Sequence, residues 1–489
     1  MPSGYDRTTS PGDRMSLASI ETAVVPDLRA RLDAQRDAFR RDPFPTIDVR
    51  RERLQKLIAG LMDRRTELAD AISEDFGHRS KHETLIAEIY VSVAAAKYVL
   101  KNLKSWMKPE SRGVSLALRP ATAEVVPQPL GVVGVISPWN YPVQLAVVPI
   151  AYALAAGDRV MLKPSELTPR TSDKLAEMLR VLFPEDLVAV CTGGPEVGQA
   201  FAELPFDHLV YTGSTRVGRL VMQAAANNLT PVTLELGGKS PAIVHRDYPV
   251  ERAADSIAAA KLFNAGQTCV SPDYVLVHPS RADALCEAIV AAAARMYPTL
   301  AANPDYTAIV NGRHKARIES YLTDARAKGA TLVEVNPAKE SFADAGTKLA
   351  PVLVRKPTED MAVMQDEIFG PVLPIVEVES LDDAIAYVGD HPRPLALYYF
   401  DTDRARIDSV LRRTHSGGVT INDCMLHVAE EHLPFGGVGP SGMGAYHGRE
   451  GFDALSHRKA VLRQPRLNGR WLISPPFGSR VERLLDWLL

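Results

Sequence analysis

The sequence predicts an α/β fold built around a doubly wound parallel sheet, and two observations support this class. Between Leu130 and Leu236, short apolar runs alternate with helical segments in the order strand, helix, strand, helix. Such alternation is typical of a parallel sheet with helices on both faces. The first run, 131–137, is continuously apolar, as expected for a strand buried on both sides. A second α/β pattern after Pro241 predicts a second domain.

The composition is that of an ordinary soluble globular protein, with 46% hydrophobic and 24% charged residues. A length of 489 residues is compatible with two to four domains. The net charge is −3, from 56 basic and 59 acidic side chains, and no basic stripe stands out. We therefore expect no nucleic-acid partner.

The four cysteines are widely scattered and show no C-x-x-C spacing. This pattern predicts neither a disulfide framework nor a metal site, and it fits a reducing cytoplasm. The longest apolar run, 145–156, contains Pro149 and is shorter than the about 20 residues that a membrane-spanning helix needs. We therefore expect no membrane span.

The chain opens with a polar segment, residues 1–20, which we interpret as a disordered tail without a signal peptide. Residues 26–104 carry apolar side chains at helical spacing and predict a run of helices. Residues 105–123 are interrupted by proline and glycine, and the alternation at 114–118 predicts an extended arm. The tail alternates again at 455–461, which we expect to pair with the arm of another subunit.

Within the predicted sheet, five strands alternate with four helices. The strands are 131–137, 160–163, 187–191, 208–211 and 232–236, and the helices are 145–156, 168–182, 195–203 and 214–228. In the second unit, the predicted strands are 273–278, 332–335, 350–354 and 374–378, with helix 281–296 and further helices between them.

Open α/β sheets bind ligands at the carboxyl ends of their strands. Several polar and glycine residues follow strands at this edge, namely Asn140, Lys163, Glu166, Gly213, Ser214, Gly218 and Glu235. The turn 213–218 opens a helix, whose N-terminus favours an anion such as a pyrophosphate. It lacks the usual G-x-G-x-x-G pattern, so it could equally be a plain strand–helix connection. Lys163 with Glu166 could hold ribose hydroxyls or could be a solvated surface pair.

Cys269 is the candidate nucleophile. The Ala-rich helix before it should end near Asn264 and Gly266, which places the thiol on a tight turn. Backbone N–H groups of such a turn could lower the thiol pKa and hold an oxyanion beside the sulfur. The alternative is a buried cysteine that only fills space. Glu235, at a strand end before paired glycines, could converge on Cys269 as a base.

A later loop, Glu367-Ile368-Phe369-Gly370-Pro371, could be a plug with Phe369 in the core. Together with this loop, five motifs appear in one order along the chain: PWNYP, KPSE, ELGGKSP, GQTC and EIFGPVLP. In these motifs the chain resembles the NAD(P)-dependent aldehyde dehydrogenases over residues 34–461. The stretches GQTCVSPDYVL, LPFGGVGPSGMGAYHG and FDALSHRKAV resemble the class 3 branch, and in particular bacterial members that act on coniferyl aldehyde.

The resemblance implies a division of the chain. Residues 21–236 would form a Rossmann-like coenzyme domain, with 107–125 as a small β oligomerisation arm. Residues 237–438 would form an α/β catalytic domain. Residues 439–489 would contribute to oligomerisation, and class 3 members are typically homodimers.

The resemblance also implies roles for single residues. Cys269 matches the nucleophile, Asn140 the side-chain donor of the oxyanion hole, and Glu235 the base that releases the acid. The coenzyme contacts would be Lys163, Glu166, Gly213, Ser214, Gly218, Glu367 and Phe369. The coenzyme would be NAD, with NADP possible, since Glu166 should repel a 2′-phosphate although class 3 enzymes with this glutamate can use both.

The implied reaction is oxidation of an aromatic aldehyde, such as coniferyl aldehyde, or of a fatty aldehyde to the carboxylic acid. The alternatives are a coenzyme A-acylating dehydrogenase, a thiol hydrolase, or a catalytically silent binding protein of the same fold. Glu235 argues against the first, and a histidine base is missing beside Cys269 for the second. The intact Cys269, Glu235 and Asn140 argue against the third. We expect Tyr141, His427 and the polar segment 428–432 to line the substrate mouth.

Overall fold

The structure is a computed structural model that describes residues 17–472 and 474–489. Most of the predicted N-terminal tail, residues 1–16, therefore lies outside the described residues. The first helix begins at Leu17, so residues 17–20 are helical and do not belong to an irregular tail. The division into domains stays a prediction.

The described residues form α-helices that precede the first strand, alternate with the strands and follow the last strand along the chain. They are α1 Leu17–Arg41, α2 Ile47–Asp63, α3 Arg65–Asp75, α4 Lys81–Thr84, α5 Val91–Trp106, α6 Gln144–Ala156, α7 Pro169–Leu182, α8 Pro195–Ala202, α9 Thr215–Ala226, α10 Val250–Leu262, α11 Pro279–Met296, α12 Gly312–Ala327, α13 Ala362–Gln365, α14 Leu381–Asp390, α15 Arg404–Arg413, α16 Gly448–Ala454 and α17 Gly478–Leu488. A π-helical turn, Leu85–Tyr90, joins α4 to α5.

The strands are short and belong to three sheets. They are β1 Glu110–Arg112, β2 Thr122–Pro129, β3 Val132–Ile136, β4 Arg159–Lys163, β5 Val188–Val190, β6 His208–Thr212, β7 Val232–Glu235, β8 Pro241–Val244, β9 Tyr274–Val277, β10 Thr331–Glu334, β11 Val352–Arg355, β12 Val372–Glu377, β13 Ala396–Phe400, β14 Gly418–Ile421, β15 Gly442–Met443 and β16 Ser456–Arg463.

The first sheet has the order β15-β7-β6-β3-β4-β5 and is parallel except at its edge strand β15. The chain winds outward from β3 in one direction to β5 and then in the other direction to β7. This confirms the predicted doubly wound sheet, and the winding reverses between β3 and β6. The crevice at such a reversal is where open α/β sheets bind ligands.

Helix α6 runs through the core behind the first sheet. All of its residues are buried, which explains why its sequence is apolar on every side and shows no helical periodicity. It ends at Gly157, whose φ of 99° is left-handed. This burial also accounts for the longest apolar run of the sequence, because that run lies in the protein core.

The second sheet has the order β10-β11-β12-β9-β8-β13-β14, and its strands from β11 to β14 are parallel. The strands predicted at 273–278, 332–335, 350–354 and 374–378 correspond to β9, β10, β11 and β12. Strands β8, β13 and β14 were not predicted. Their four or five residues follow glycine- or proline-containing turns, which leaves too little pattern to recognise.

The third sheet has the order β1-β2-β16 and is antiparallel. Strand β16 pairs with β2 of the same chain, from Ser456 opposite Pro129 to Arg463 opposite Thr122. Strand β16 is at the edge of this sheet, so pairing of its other edge with an arm from another subunit stays a prediction. The expectation of an extended segment at 114–118 is wrong in part, because Leu116–Leu118 forms a 3₁₀ turn. Within 17–472 and 474–489, no helix is long and apolar enough to cross a membrane.

Candidate active site

The crevice of the first sheet and loops of the second sheet meet at a cavity of about 250 Å³. It is lined by seven of the residues singled out in the sequence, namely Asn140, Gly213, Ser214, Glu235, Cys269, Glu367 and Phe369. Lys163, Glu166 and Gly218 do not line it. One space therefore contains the candidate nucleophile, the candidate base and the candidate oxyanion donor.

The Cys269 loop has the predicted tight turn. After α10, Asn264, Ala265 and Gly266 all have left-handed backbones, with φ of 51°, 51° and 73°. A Cβ atom on Gly266 would lie 2.3 Å from the carbonyl oxygen of Gly370, so only glycine fits there. The buried Gln267 amide donates to the carbonyl oxygens of Asn264 and Ala308, each at 3.0 Å. These contacts fix the loop that carries the thiol.

The Cys269 thiol is partly buried at the cavity wall. Burial, together with the nearby carboxyl groups of Glu367 and Glu235, raises its pKa to about 12. The backbone N–H groups of Cys269 and Val270 act in the opposite direction. The N–H groups of the turn therefore act in the expected direction, but desolvation and two carboxyl groups outweigh them, and the net pKa of the thiol is raised.

Glu235 is the last residue of β7 and is buried. Neither of its carboxyl oxygens has a hydrogen-bond partner among the described residues. Burial raises its pKa well above the usual range of a glutamate. An unsatisfied buried carboxyl group is costly, and groups of this kind concentrate at functional sites. A carboxyl group with a raised pKa is suited to take up a proton near neutral pH.

Asn140 lies in the loop between β3 and α6 and is buried. Its side-chain Nδ2 donates to the carbonyl oxygen of Gln267 at 3.2 Å, so the amide lies against the Cys269 loop. The Asn140 carbonyl oxygen accepts from Asn264 Nδ2 at 3.1 Å. The two loops are thus joined by hydrogen bonds in both directions, as a donor beside the sulfur requires.

Glu367 and Phe369 face the same cavity from the loop after α13. The pKa of Glu367 is raised to about 8 by burial and by Asp273, and its Oε1 has no partner among the described residues. Phe369 has a left-handed φ of 50°, and its ring meets Trp139 edge-on at 5.4 Å. Arg317 donates to the carbonyl oxygen of Ile368 at 2.8 Å. Phe369 is therefore part of the cavity wall and is not a plug in the core.

The candidate coenzyme contacts lie at one edge of the first sheet. Gly213 and Ser214 precede α9, and Ser214 Oγ accepts from the N–H of Val217 at 3.4 Å. Lys163 is buried and forms an ion pair of 2.7 Å with Glu166, so it is not a solvated surface lysine. The helix N-terminus follows β6 and the lysine–glutamate pair lies at the end of β4, on either side of β3. They are suited to a phosphate and to ribose hydroxyls, respectively.

Gly218 lies one turn into α9. A Cβ atom there would lie 2.6 Å from Leu236 Cδ2, which shows that Gly218 allows α9 to approach β7 closely. The structure thus gives this glycine a packing role. Contact with a coenzyme stays a prediction.

The sequence reasoning missed other residues of the cavity wall. They are mostly aromatic or apolar, namely Pro138, Trp139, Leu145, Thr212, Leu236, Gly237, His314, Arg317, Leu395, Phe435 and Tyr446. The hydroxyl of the buried Tyr446 has no hydrogen-bond partner in the described part of the chain. These residues come from distant segments and fit ordinary core patterns, so only position in space distinguishes them.

The substrate mouth expected at Tyr141, His427 and 428–432 is not part of this cavity wall. The Tyr141 hydroxyl is hydrogen-bonded to Thr268 Oγ1 at 2.7 Å, and His427 Nδ1 to Thr420 Oγ1 at 2.8 Å. In the segment 428–432, His432 forms a pair with Glu430 at 2.6 Å. Other polar atoms of this region have no partner among the described residues, namely His427 Nε2 and Glu431 Oε1. A role of this region in substrate binding stays a prediction.

In the described ranges, no group of three or more histidine, cysteine, aspartate or glutamate side chains is arranged to hold a metal ion. The polar atoms of the cavity are carboxyl, amide and thiol groups. The chemistry they can support is nucleophilic addition with proton transfer.

The sequences of known proteins support the chemistry that the cavity residues indicate. The sequence model of the aldehyde dehydrogenase family matches residues 4–461. The chain is 51% identical to a "Probable coniferyl aldehyde dehydrogenase" of Pseudomonas aeruginosa, covering 94% of this chain and 96% of that protein. It is 47% identical to a "Coniferyl aldehyde dehydrogenase" of a Pseudomonas species, covering 97% of this chain and 99% of that protein.

Solved structures give the same result. A substrate-bound AldH of Staphylococcus aureus superposes with a TM-score of 0.89 at 36% identity, covering 94% of this chain and 99% of that one. An NAD-dependent aldehyde dehydrogenase of Sinorhizobium meliloti superposes with a TM-score of 0.82 at 31% identity, covering 93% and 89%.

Proposed function

Because the chain belongs to the aldehyde dehydrogenase family, we propose that it oxidises aromatic aldehydes through Cys269, Asn140 and Glu235. One observation carries the proposal. The thiol of Cys269, the amide of Asn140 and the unpartnered carboxyl group of Glu235 line one cavity that also contains aromatic side chains. Relatives named for coniferyl aldehyde support the substrate class.

The first step assigned to the chain is addition of Cys269 to the aldehyde. The thiol first loses its proton to water, and the thiolate sulfur then forms a bond with the carbonyl carbon while the carbonyl electron pair moves to oxygen. The resulting oxyanion would be stabilised by the Asn140 amide and the Cys269 backbone N–H. Loss of one such donor costs about 3–4 kcal/mol of transition-state stabilisation in other enzymes.

The cavity fits a nicotinamide coenzyme. Glu367 Oε1 is buried without a partner, as expected for an acceptor that a ribose hydroxyl would satisfy. Gly213 and Ser214 at the start of α9 would hold the pyrophosphate, and Lys163 with Glu166 would hold the other ribose. Held by these residues, a nicotinamide coenzyme would supply the acceptor for the hydride that leaves the substrate carbon. We propose NAD, with NADP as the second choice.

The second step assigned to the chain is hydrolysis of the Cys269 thioester. Glu235 would take a proton from water, whose oxygen then bonds to the acyl carbon as the carbon–sulfur bond breaks. Cys269 is regenerated and the carboxylic acid leaves. Transfer of the acyl group to coenzyme A needs no activated water. A base in this position therefore favours hydrolysis of the thioester over that transfer.

The shape of the cavity wall supports an aromatic substrate. Trp139, Phe435 and Tyr446 line it together with Leu145 and Leu395, and flat rings pack well against such side chains. The names of the relatives support a preference for rings with hydroxyl and methoxyl groups, of which coniferyl aldehyde is an example.

We further propose a cytoplasmic homodimer, with the β1-β2-β16 sheet and the segment 439–489 at the interface.

The test is reduction of NAD, and then of NADP, by the purified protein with coniferyl aldehyde. Wild type, Cys269→Ala and Cys191→Ala are compared, because Cys191 is a buried cysteine that does not line the cavity. We expect reduction by wild type and Cys191→Ala but not by Cys269→Ala. A kcat/KM for hexadecanal far above that for coniferyl aldehyde would overturn the substrate class. Formation of an acyl thioester from added coenzyme A in preference to the acid would overturn the hydrolytic step.

A further inference from the structure

A buried ion pair lies directly behind the Asn140 loop. Arg79 and Glu88 are 1% and 0% exposed, and Arg79 Nη1 lies 3.0 Å from Glu88 Oε1. Neither residue lines the cavity. Arg79 Nε and Nη2 have no hydrogen-bond partner among the described residues, so the guanidinium is desolvated with only part of its donors satisfied.

Such a pair is weak evidence for stability. Removing two charges from water costs several kcal/mol per ion, and well-packed apolar replacements are often neutral or stabilising. The guanidinium of Arg79 lies between the rings of Phe76 and Tyr141, at 5.2 and 4.8 Å from the ring centroids. An uncharged side chain could keep this packing. The two charges are therefore explained by the backbone groups that they bind.

The Arg79 end of the pair holds the backbone of Asn140. The same Nη1 that binds Glu88 donates to the carbonyl oxygen of Asn140 at 2.9 Å. That oxygen also accepts from Asn264 Nδ2, which lies in the Cys269 loop. Arg79 thus completes a junction in which the peptide of Asn140 is held relative to the turn that carries the nucleophile.

The Glu88 end of the pair holds the chain three and four residues further on. Glu88 Oε2 accepts from the backbone N–H groups of Val143 and Gln144 at 2.9 and 2.8 Å. The N–H groups at the start of a helix have no acceptor within the helix, and a negative charge is favourable there. Glu88 supplies both the acceptor and the charge for α6. The five residues from Asn140 to Gln144 are therefore held at both ends by one ion pair.

We propose that Arg79 and Glu88 are positioning residues for the oxyanion hole, which together set the placement of the Asn140 amide beside Cys269. The inference rests on the role of Asn140 in the proposed function. Among the described residues, the amide itself is held only by a 3.2 Å bond to the Gln267 carbonyl oxygen, so its direction depends on the fixed peptide behind it. Misplacement of a reacting group by about 1 Å can reduce a rate roughly 100-fold.

The chain offers a matched control at the other end of the same helix. Arg50 is also 1% exposed, and its Nη1 donates to the carbonyl oxygens of Ala155 and Ala156 at 2.9 and 2.6 Å. Arg50 therefore binds the C-terminal end of α6, while Arg79 and Glu88 bind the segment before it. Arg50→Met should destabilise the fold without affecting the oxyanion hole.

The experiment measures the first turnover of coniferyl aldehyde by stopped-flow detection of NADH. The double variant Arg79→Met/Glu88→Gln removes both charges, keeps the bulk between the two rings and keeps an acceptor for the N–H groups of 143 and 144. We expect its first-turnover rate to fall roughly 10-fold to 100-fold, with the KM for NAD unchanged. Arg50→Met should lower the melting temperature but keep the rate within about 2-fold.

A double-mutant cycle separates positioning from general damage. In an Asn140→Ala background, the Arg79→Met/Glu88→Gln change should alter the rate by less than about 2-fold, because the amide it positions is gone. Arg79→Lys, which keeps a cation for Glu88, should retain a rate between those of wild type and the double variant. It provides a second test if the double variant does not fold.

The outcomes distinguish the two levels of the argument. If Asn140→Ala alone leaves the first-turnover rate unchanged, the proposed role of Asn140 fails and this inference fails with it. If Asn140→Ala lowers the rate but Arg79→Met/Glu88→Gln and Arg79→Lys match wild type, only the inference is overturned. An equal loss with and without Asn140 would also overturn it, since the pair would then act elsewhere.

Discussion

Tyr446 and Glu235 line the same cavity, and both carry buried oxygen atoms without a hydrogen-bond partner among the described residues. Glu235 ends β7 at the point where Gly442 of β15 pairs with it, and Tyr446 follows that edge strand by three residues. The hydroxyl and the carboxyl group are therefore brought to one wall by the antiparallel edge of an otherwise parallel sheet. Water or an oxygen of the substrate would satisfy both groups.

We expect Tyr446→Phe to lower the rate of thioester hydrolysis. A hydrogen bond of this kind contributes about 1 kcal/mol, which corresponds to roughly a 5-fold loss in kcat. The loss should be equal for coniferyl aldehyde and for cinnamaldehyde, because Tyr446 lies near Glu235 and Cys269 at the reacting end. Tyr306→Phe is the control, since that buried hydroxyl donates to the Leu349 carbonyl oxygen away from the cavity. A loss confined to coniferyl aldehyde would contradict this assignment.

Glu235→Gln should separate the two halves of the reaction. Without the base, the thioester at Cys269 persists, so we expect one equivalent of NADH per active site followed by turnover at least roughly 100-fold slower than wild type. Stopped-flow absorbance shows the burst, and intact mass spectrometry shows the acyl group on the protein. Glu431→Gln, a buried carboxyl group outside the cavity wall, should keep multiple turnovers. Wild-type turnover by Glu235→Gln would remove Glu235 from the mechanism.

Local sequence motifs predict where the reacting residues of this site lie, but they do not predict the pKa of the nucleophile. Cys269, Asn140 and Glu235 stand in local motifs next to glycine or proline, where a strand or helix has to end. These signals place Asn140 and Glu235 at one edge of the sheet and Cys269 on a turn after a helix. The pKa of Cys269 could not be predicted this way. It depends on Glu367, which lies almost a hundred residues further along the chain and approaches the thiol only in the folded protein.

The fold, too, was predicted only in part: the sequence predicts individual strands, but not how every strand pairs. The strands β3 to β7 were predicted because each contains a short, mostly buried apolar stretch that alternates with helical segments. The pairing of β16 with β2 of its own chain could not be predicted, since an alternating strand shows which face is apolar but not which edge it joins. The aromatic wall of Trp139, Phe435 and Tyr446 was missed because core aromatics and pocket aromatics look alike in sequence.

The reactivity of Cys269 should rise with pH over an unusually wide range. Since burial and two carboxyl groups raise its pKa to about 12, the thiolate fraction of the free enzyme should still be increasing at pH 10. The measurement is the rate of iodoacetamide inactivation from pH 7 to 10.5, with the modified site identified by peptide mass spectrometry. Glu367→Gln should raise the rate at pH 8 by several-fold because it removes a charge that disfavours the thiolate. A plateau of the wild-type rate below pH 9 would contradict the raised pKa.

The pH dependence of stability should reveal the buried carboxyl group of Glu367. Burial is the main reason that its pKa in the folded protein is raised to about 8, so the folded state holds the proton more tightly than the unfolded state, where the pKa is near 4.5. This contribution to stability is fully present below pH 4.5 and is lost as the pH rises towards 8. Glu367→Gln has no proton to lose there, so its unfolding free energy should fall less between pH 5 and pH 8, by on the order of 3 kcal/mol. Urea unfolding at these two pH values measures the difference, with the exposed Glu334→Gln as control. Parallel pH profiles for wild type and Glu367→Gln would show that the carboxylate is already ionised in the fold at pH 5, and that the nearby cations Lys239 and Arg317 outweigh its burial.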